Sequence, residues 1–410
     1  MCRELKDSGI PWIGNIPKDW TIELIGNQVK EVNNPNTDGL EDNALQFKMG
    51  TIISKSRGDS KYNPETLEGY NIVDKGVIML NGLNLSFDLI SQRVGLVRER
   101  GVITSTYLAV KPTKNIDSEY LTYLFKAYDN CKAFHSMGRG LRQTLSYGEL
   151  RKYLLLYPSL EEQQRIAKFL DRKCAEVDEM IGLQEQIIEE LKAYKQSVIT
   201  EAVTKGLNPD APMCDSGVVC IGEIPSHWEV KSLRFVLENL DYLREPISAE
   251  HRERNNPIYD YYGASGVIDK IDYYNVDDKV LLIGEDGANL RMRNLPLIYK
   301  ASGKFWVNNH AHILKPISDN YDYLALLLEA LDYTDFITGS AQPKLSQDNL
   351  KKIRLCIPPL TEQQAIADYL DEKCADIDSL IQTKQSKIDS LKEYKKSIIY
   401  EYVTGKREVE

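Results

Sequence analysis

Ile166, Leu170, Val177, Ile181, Ile188, Leu191, Val198 and Ala202 follow one another at helical three- and four-residue steps, with some polar interruptions. Ile366, Leu370, Ile377, Ile381, Ile388, Leu391, Ile398 and Tyr402 do the same. An apolar stripe this narrow, sustained for about six heptads, predicts a coiled-coil seam rather than the broad face of a core helix. No proline breaks either stretch, and only Gly182 is a weak point. At 1.5 Å per residue each helix would span roughly 65 Å.

The two stretches are copies. Leu160–Thr204 and Leu360–Thr404 align without a gap at an offset of 200, with 23 of 45 positions identical. The first opens L-E-E-Q-Q-R-I-A-K-F-L-D and the second L-T-E-Q-Q-A-I-A-D-Y-L-D. A second repeat pairs D-S-G-I-P-W-I-G-N-I-P-K-D-W (7–20) with D-S-G-V-V-C-I-G-E-I-P-S-H-W (215–228). Gly and Pro at these spacings predict an ordered non-helical strap, ended by Trp20 or Trp228 as an apolar anchor. A third echo precedes each long helix: Leu145, Ser146, Leu150, Lys152, Leu155 and Pro158 recur 200 residues later.

Between these constant parts lie two bodies, Thr21 to about Arg139 and Glu229 to about Gly339, with no convincing ungapped match. Short β-like runs (Val77–Leu80, Val94–Val97, Tyr107–Val110, Val280–Ile283, Phe305–Val307, His312–Leu314) alternate with Gly, Asn and Asp turns. Helical segments Ser118–Tyr128 and Asn320–Leu331 follow. The expected fold class is α+β, with α/β-type heads: two globular domains joined by two long antiparallel coiled-coil helices, pseudo-two-fold symmetric. Expected boundaries are 1–158, 159–205, 206–358 and 359–410. Pairing seam against seam requires the second helix to run back, which brings the C-terminus near the first strap and makes a dumb-bell.

Composition narrows the class. Hydrophobic content of 42% with 27% charged residues describes a globular chain. No apolar run reaches membrane-spanning length, and the N-terminus lacks a signal-peptide core, so a cytoplasmic protein with no membrane partner is expected. Seven cysteines show no zinc spacing; Cys174 and Cys374, beside the seam, read as small buried hydrophobes. A net charge of −10 argues against a non-specific nucleic-acid coat. It leaves room for a DNA reader with basic groups on one face, because 21–150 holds 15 basic and 15 acidic side chains, the bases concentrated after residue 91.

The strap D-S-G…I-G…I-P…W, the P-S-L or P-P-L step and the E-Q-Q-x-I-A-x-[FY]-L-D helix opening resemble specificity subunits of type I restriction–modification enzymes, in both copies and in order. Tyr262–Gly266, Gly284–Gly287 and Trp306–His312 resemble that family's target-recognition domains. The resemblance implies a non-catalytic subunit whose heads each read one half of a bipartite asymmetric site in double-stranded DNA. The helix pair would set the spacing and dock two modification subunits that methylate adenine N6, with two restriction/translocase subunits able to join. S-adenosylmethionine, ATP and Mg would belong to those partners, and this chain would need no cofactor. Readers with paired modules place half-site centres about 34 Å apart or a multiple of it, which a rod of this length accommodates.

Arg and Lys bind phosphate or read guanine, while Asn and Gln suit adenine. Loops dense in such residues give the candidate DNA contacts. In the first head they are Arg57, Lys61, Asn81, Asn84, Arg93, Arg139, Arg142 and Gln143. In the second they are Tyr261, Tyr262, Ser265, Arg291, Arg293, Asn308, Asn309, His310 and Lys344. Subunit or coiled-coil interface candidates are Gln163, Gln164, Ile166, Leu170, Ile181, Ile188 and Leu191, with Gln363, Gln364, Ile366, Leu370, Ile381, Ile388 and Leu391.

Other chemistries find less support. Asn256-Pro257-Ile258-Tyr259 imitates an amino-methyltransferase motif but lacks its second proline, and there is no phosphate-binding G-x-x-x-x-G-K-[ST]. Glu285-Asp286 with His310 and His312 lacks a defined third metal ligand, so no metal is expected. The alternative reading is a coiled-coil scaffold whose two heads bind proteins.

Overall fold

A computed structural model describes residues 3–55, 67–85, 92–138, 143–218, 221–248, 250, 252 and 257–409. The chain divides into two compact units, and each draws on both repeats. The first contains Met1–Glu185 with Gln385–Glu410, and the second contains Gln186–Lys384. Both divisions fall inside the long helices.

In the first unit, β1 (Val29–Glu31), β2 (Ile78–Leu80), β3 (Val94–Leu96) and β4 (Leu108–Pro112) form an antiparallel sheet in the order β1-β4-β2-β3. Helix α1 (Ser118–Asn130) follows, its first turn capped by Asp117, whose carboxylate accepts from the Tyr120 amide at 2.9 Å. The long helix α2 (Leu160–Lys205) starts after Pro158 with Glu161 and Glu162 in its first turn, where acids suit the helix dipole.

The second unit has a six-stranded sheet. Its strands are β5 (Leu237–Asn239), β6 (Tyr259–Gly263), β7 (Gly266–Ile271), β8 (Val276–Gly284), β9 (Ile298–Val307) and β10 (Ala311–Pro316). The order is β5-β10-β8-β9-β6-β7; only β6 and β9 run parallel. Helix α3 (Tyr321–Ala330), capped by Asn320, follows, and α4 (Leu360–Val403) closes the chain.

Each unit repeats one frame. A strap hairpin (Leu5–Asp7 with Asn15–Pro17; Met213–Asp215 with Glu223–Pro225) leads to a strand that pairs with the strand preceding the long helix. Those pairs are Thr21–Leu24 with Leu154–Tyr157, and Glu229–Ser232 with Arg354–Ile357. Trp20 and Trp228 are buried, as the strap pattern predicts. The bodies also share a plan that an ungapped comparison misses. In each, the sheet runs into one helix whose buried tyrosine donates to two carbonyls. Tyr120 reaches Leu156 and Val403, both at 3.4 Å. Tyr323 reaches Cys356 at 3.1 Å and Val203 at 3.4 Å.

The end of the opposite repeat's helix thus completes each core. Ile399 and Val403 join Ile16, Trp20, Tyr120, Leu156 and Ile166; Ile199, Ala202 and Val203 join Trp228, Tyr323, Leu355 and Ile366. In the first unit Phe169 meets Tyr402 at 4.4 Å between ring centroids while Asp178 meets Lys395 at 2.6 Å, so the two segments run antiparallel. In the second, Lys195 meets Asp378 at 2.7 Å. The chain's last residues reach the first strap: Tyr400 donates to the Trp12 carbonyl at 2.9 Å and Lys406 to that of Ile13 at 2.8 Å.

Candidate nucleic-acid interface

In the second unit, the turns named from sequence are drawn together by backbone hydrogen bonds. The amide of Glu285, just beyond β8, donates to the carbonyl of His310 at 2.8 Å, and that of Asn308 to Tyr262 at 3.1 Å. Leu345 donates to Glu285 at 2.7 Å and Gly287 to Pro343 at 3.0 Å. Gly284 packs so closely that a Cβ there would stand 2.7 Å from the Ala264 carbonyl. Arg291, on the short helix Asn289–Met292, donates to the Gly339 carbonyl at 3.2 Å. Four chain segments, around 262–265, 284–293, 308–310 and 339–345, therefore form one cluster.

Within it, Ser265, Arg291, Arg293, Asn309, His310 and Lys344 are exposed, and Tyr262 is half-buried. Arg293, in the left-handed region at φ 53°, bonds the Glu329 carbonyl. Two expectations are corrected. Tyr261 is 1% exposed, lies in β6 rather than a loop, and its hydroxyl bonds the backbone of Ile247. Alternation along Y-D-Y-Y-G puts it inward, with the Arg252 guanidinium 4.2 Å above its ring. Asn308 is 5% exposed, and its carboxamide oxygen accepts from the His310 amide, so it shapes the turn.

The acids among these basic groups are bound. Glu285 pairs with Arg244 and, at 3.0 Å, with Lys344; Asp286 pairs with His310 at 2.7 Å. Burial would raise the Glu285 carboxyl, but Arg244 and Lys344 hold it below its ordinary value. Beneath, His312 is fully buried between Asp241 at 2.6 Å and the Leu345 carbonyl at 2.8 Å. Asp241 also accepts from the Ile313 amide at 2.8 Å and from Gln347 at 2.6 Å. Burial opposes its ionisation, yet His312, the amide and Arg244 hold its carboxyl at about 2. Among the described residues no group of three or more His, Cys, Asp or Glu could hold a metal ion.

The first unit builds a matching corner. Leu145 donates to the Gly82 carbonyl at 2.8 Å, as Leu345 does to Glu285, and Leu85 donates to Gln143 at 3.2 Å. Asn84 is exposed; Asn81 and Gln143 are half-buried. Arg93 is corrected: it is 3% exposed, and its guanidinium donates to the carbonyls of Asn81 and Leu83 at 2.8 Å each. It staples the 81–84 turn from within. Arg57, Lys61, Arg139 and Arg142, like the Asn256 start of the methyltransferase-like motif, lie outside the described residues.

On the helices, Ile166, Leu170, Ile188, Ile366, Leu370 and Ile388 are buried, while Ile181, Leu191, Ile381 and Leu391 are half-buried. Gln163 and Gln363 are corrected. Both are buried inside their own unit, each donating to the carbonyl of the proline five residues earlier at 2.9 Å. Their carboxamide oxygens accept the amides of Asp117 at 2.8 Å and Asn320 at 2.7 Å, locking α1 and α3 to the long helices. They offer nothing to an incoming partner. Gln164 and Gln364 are exposed, with Gln364 accepting from Asn320 at 2.8 Å. Sequence reasoning attended to the seam and passed over exposed apolar residues recurring at the 200-residue offset: Leu160 with Leu360, Met180 with Leu380, and Tyr194 with Tyr394.

Comparison with known proteins places this architecture. A family model described as the type I restriction modification DNA specificity domain matches residues 96–193 and 225–404. The type I restriction enzyme MjaVIII specificity subunit of Methanocaldococcus jannaschii is 24% identical over 422 residues, spanning 95% of this chain and 93% of that protein. A solved structure from work on complex assembly and conformational transition of the type I R-M system superposes with a TM-score of 0.72 at 13% identity, covering 96% of this chain and 99% of that one. The HsdS subunit from Thermoanaerobacter tengcongensis superposes with a TM-score of 0.52 at 15% identity, covering 96% and 98%. These two show likeness of fold.

Proposed function

The chain belongs to the family of type I restriction–modification DNA specificity domains, and from that premise we propose that it is a non-catalytic subunit reading a bipartite, asymmetric DNA site, one half with each unit. The observation that carries the reading is the exposed cluster in the second unit. Arg291, Arg293, Lys344, Asn309, His310 and Ser265 come from separate segments yet share one corner, supplying both phosphate ligands and base-edge donors. In the first unit, Asn84 and the half-buried Asn81 and Gln143 stand at the corresponding corner. Unlike bodies on a repeated frame suit a target whose halves differ.

The frame would set the spacing and receive partners. The recurring exposed pairs Met180/Leu380 and Tyr194/Tyr394 support two equivalent docking surfaces, one for each adenine-N6 methyltransferase subunit, through which restriction subunits would join. S-adenosylmethionine, ATP and Mg would be bound by those partners. Mapping methylated adenines in DNA from cells expressing this chain with its methyltransferase partner tests the whole reading. The expected result is methylation confined to one two-part motif. Unpatterned methylation, or binding with a flat salt dependence, would favour the protein-binding scaffold instead.

A further inference from the structure

The polar network buried under the second unit's exposed cluster has no surface of its own. Both His312 ring nitrogens face groups that can only accept: the ionised Asp241 carboxylate at 2.6 Å and the Leu345 carbonyl at 2.8 Å. Both nitrogens are thereby held between acceptors on two different segments. Leu345 in turn donates its amide to Glu285, Gln347 donates to Asp241 at 2.6 Å, and Arg244 bridges Asp241 and Glu285. A fully buried polar pair is costly unless its bonds are made, and here they tie β10 to the 241–244 turn and to the segments that carry Glu285 and Lys344.

We propose that the Asp241–His312 pair is a positioning device for sequence reading: it fixes the Glu285–Gly287 turn against the Pro343–Leu345 segment, so that Lys344, Asp286 and His310 meet the second half-site in one geometry. The proposal rests on the DNA-reading function above. The first unit has no histidine at the corresponding place. Four residues before the proline that ends the matching strand, the place of His312 is taken by Leu108. The device therefore acts on one half-site alone, and the other is an internal control.

The test uses the full chain assembled with its methyltransferase partner. Binding is measured on duplexes carrying the cognate site, either half scrambled, or both scrambled. His312→Gln is expected to lower discrimination at the second half-site by about tenfold or more and to leave the first half-site and the salt slope unchanged. Gln347→Ala, a gentler lesion that keeps the buried pair, is expected to show a smaller loss at the same half-site. It decides the matter if His312→Gln fails to fold. Wild-type discrimination at both half-sites in the variants, or an equal loss at both, overturns the positioning role. A wild-type complex that discriminates between none of the duplexes instead overturns the DNA-reading function itself.

Discussion

Lys395 contacts both carboxylate oxygens of Asp178 at 2.6 Å, and the pair recurs as Lys195 with Asp378 in the second unit. The lysines are largely withdrawn along the seam, but the aspartates are more than half exposed. Such pairs contribute little to stability and more to register. Asp178→Ala is expected to cost about 0.5 kcal/mol, while exchanging the charges (Asp178→Lys with Lys395→Asp) restores most of it. Thermal melts of the four members of that cycle check the coupling.

Gln163 is a different case. Truncation to Ala would leave the Pro158 carbonyl and the Asp117 amide without their partner in a buried site. A loss of about 1–3 kcal/mol is expected, against roughly 0.5 or less for the exposed Gln164→Ala. Denaturant titration separates them; equal effects would mean that the clamp between α1 and α2 is not formed.

Gly405 sits at φ 67° just beyond α4, where a Cβ would stand 2.4 Å from the Pro17 ring and 3.1 Å from Trp20. Its counterpart Gly206, at φ 75°, would meet Glu362 at 2.9 Å. Gly405→Ala is expected to destabilise by more than about 1 kcal/mol, combining left-handed strain with the clash. Limited proteolysis of the first strap should reveal the loosened dock.

Asp241 makes the second unit acid-sensitive. Its folded carboxyl is depressed from an ordinary 3.8 to about 2. Its contribution to stability is therefore present in full above the ordinary value and disappears as pH falls from about 4 through about 2. Asp241→Asn should flatten that part of the stability profile, measured as melting temperature against pH.

Arg291 tests the exposed cluster directly. If it reads a base, Arg291→Ala weakens specific binding by about 1–3 kcal/mol and relaxes one position of the second half-site. A phosphate contact would instead weaken all sequences alike and reduce the salt slope by about one.

Much of the frame was legible because repetition exposes it. The seam residues, both strap tryptophans and the helix after each sheet stand where three- and four-residue spacing and Gly/Pro placement put them. The hairpin β6–β7 was not, because Tyr261 and Tyr262 in a Gly-rich stretch resemble a loop until pairing with β9 is seen. Arg93 and Gln163 misled for a shared reason. A polar residue type signals surface chemistry in sequence, while here each satisfies backbone carbonyls or amides in the interior. Nor could the sequence show that Gly82 and Glu285 hold equivalent places, since gaps separate them in alignment and only the Leu145 and Leu345 amides reveal it.

Ile399 and Val403 belong to the first core, and Ile199, Ala202 and Val203 to the second. The boundary of duplication is therefore not the boundary of folding: each repeat lends its last helical turns to the other's interior, an exchange made within one chain. A product ending after Thr204 would hold one core lacking its closing wall and one wall lacking its core. Such a half-length chain could complete itself only by trading those turns with a second copy. Two identical halves would then suit a symmetric target in place of the asymmetric one proposed for the full chain.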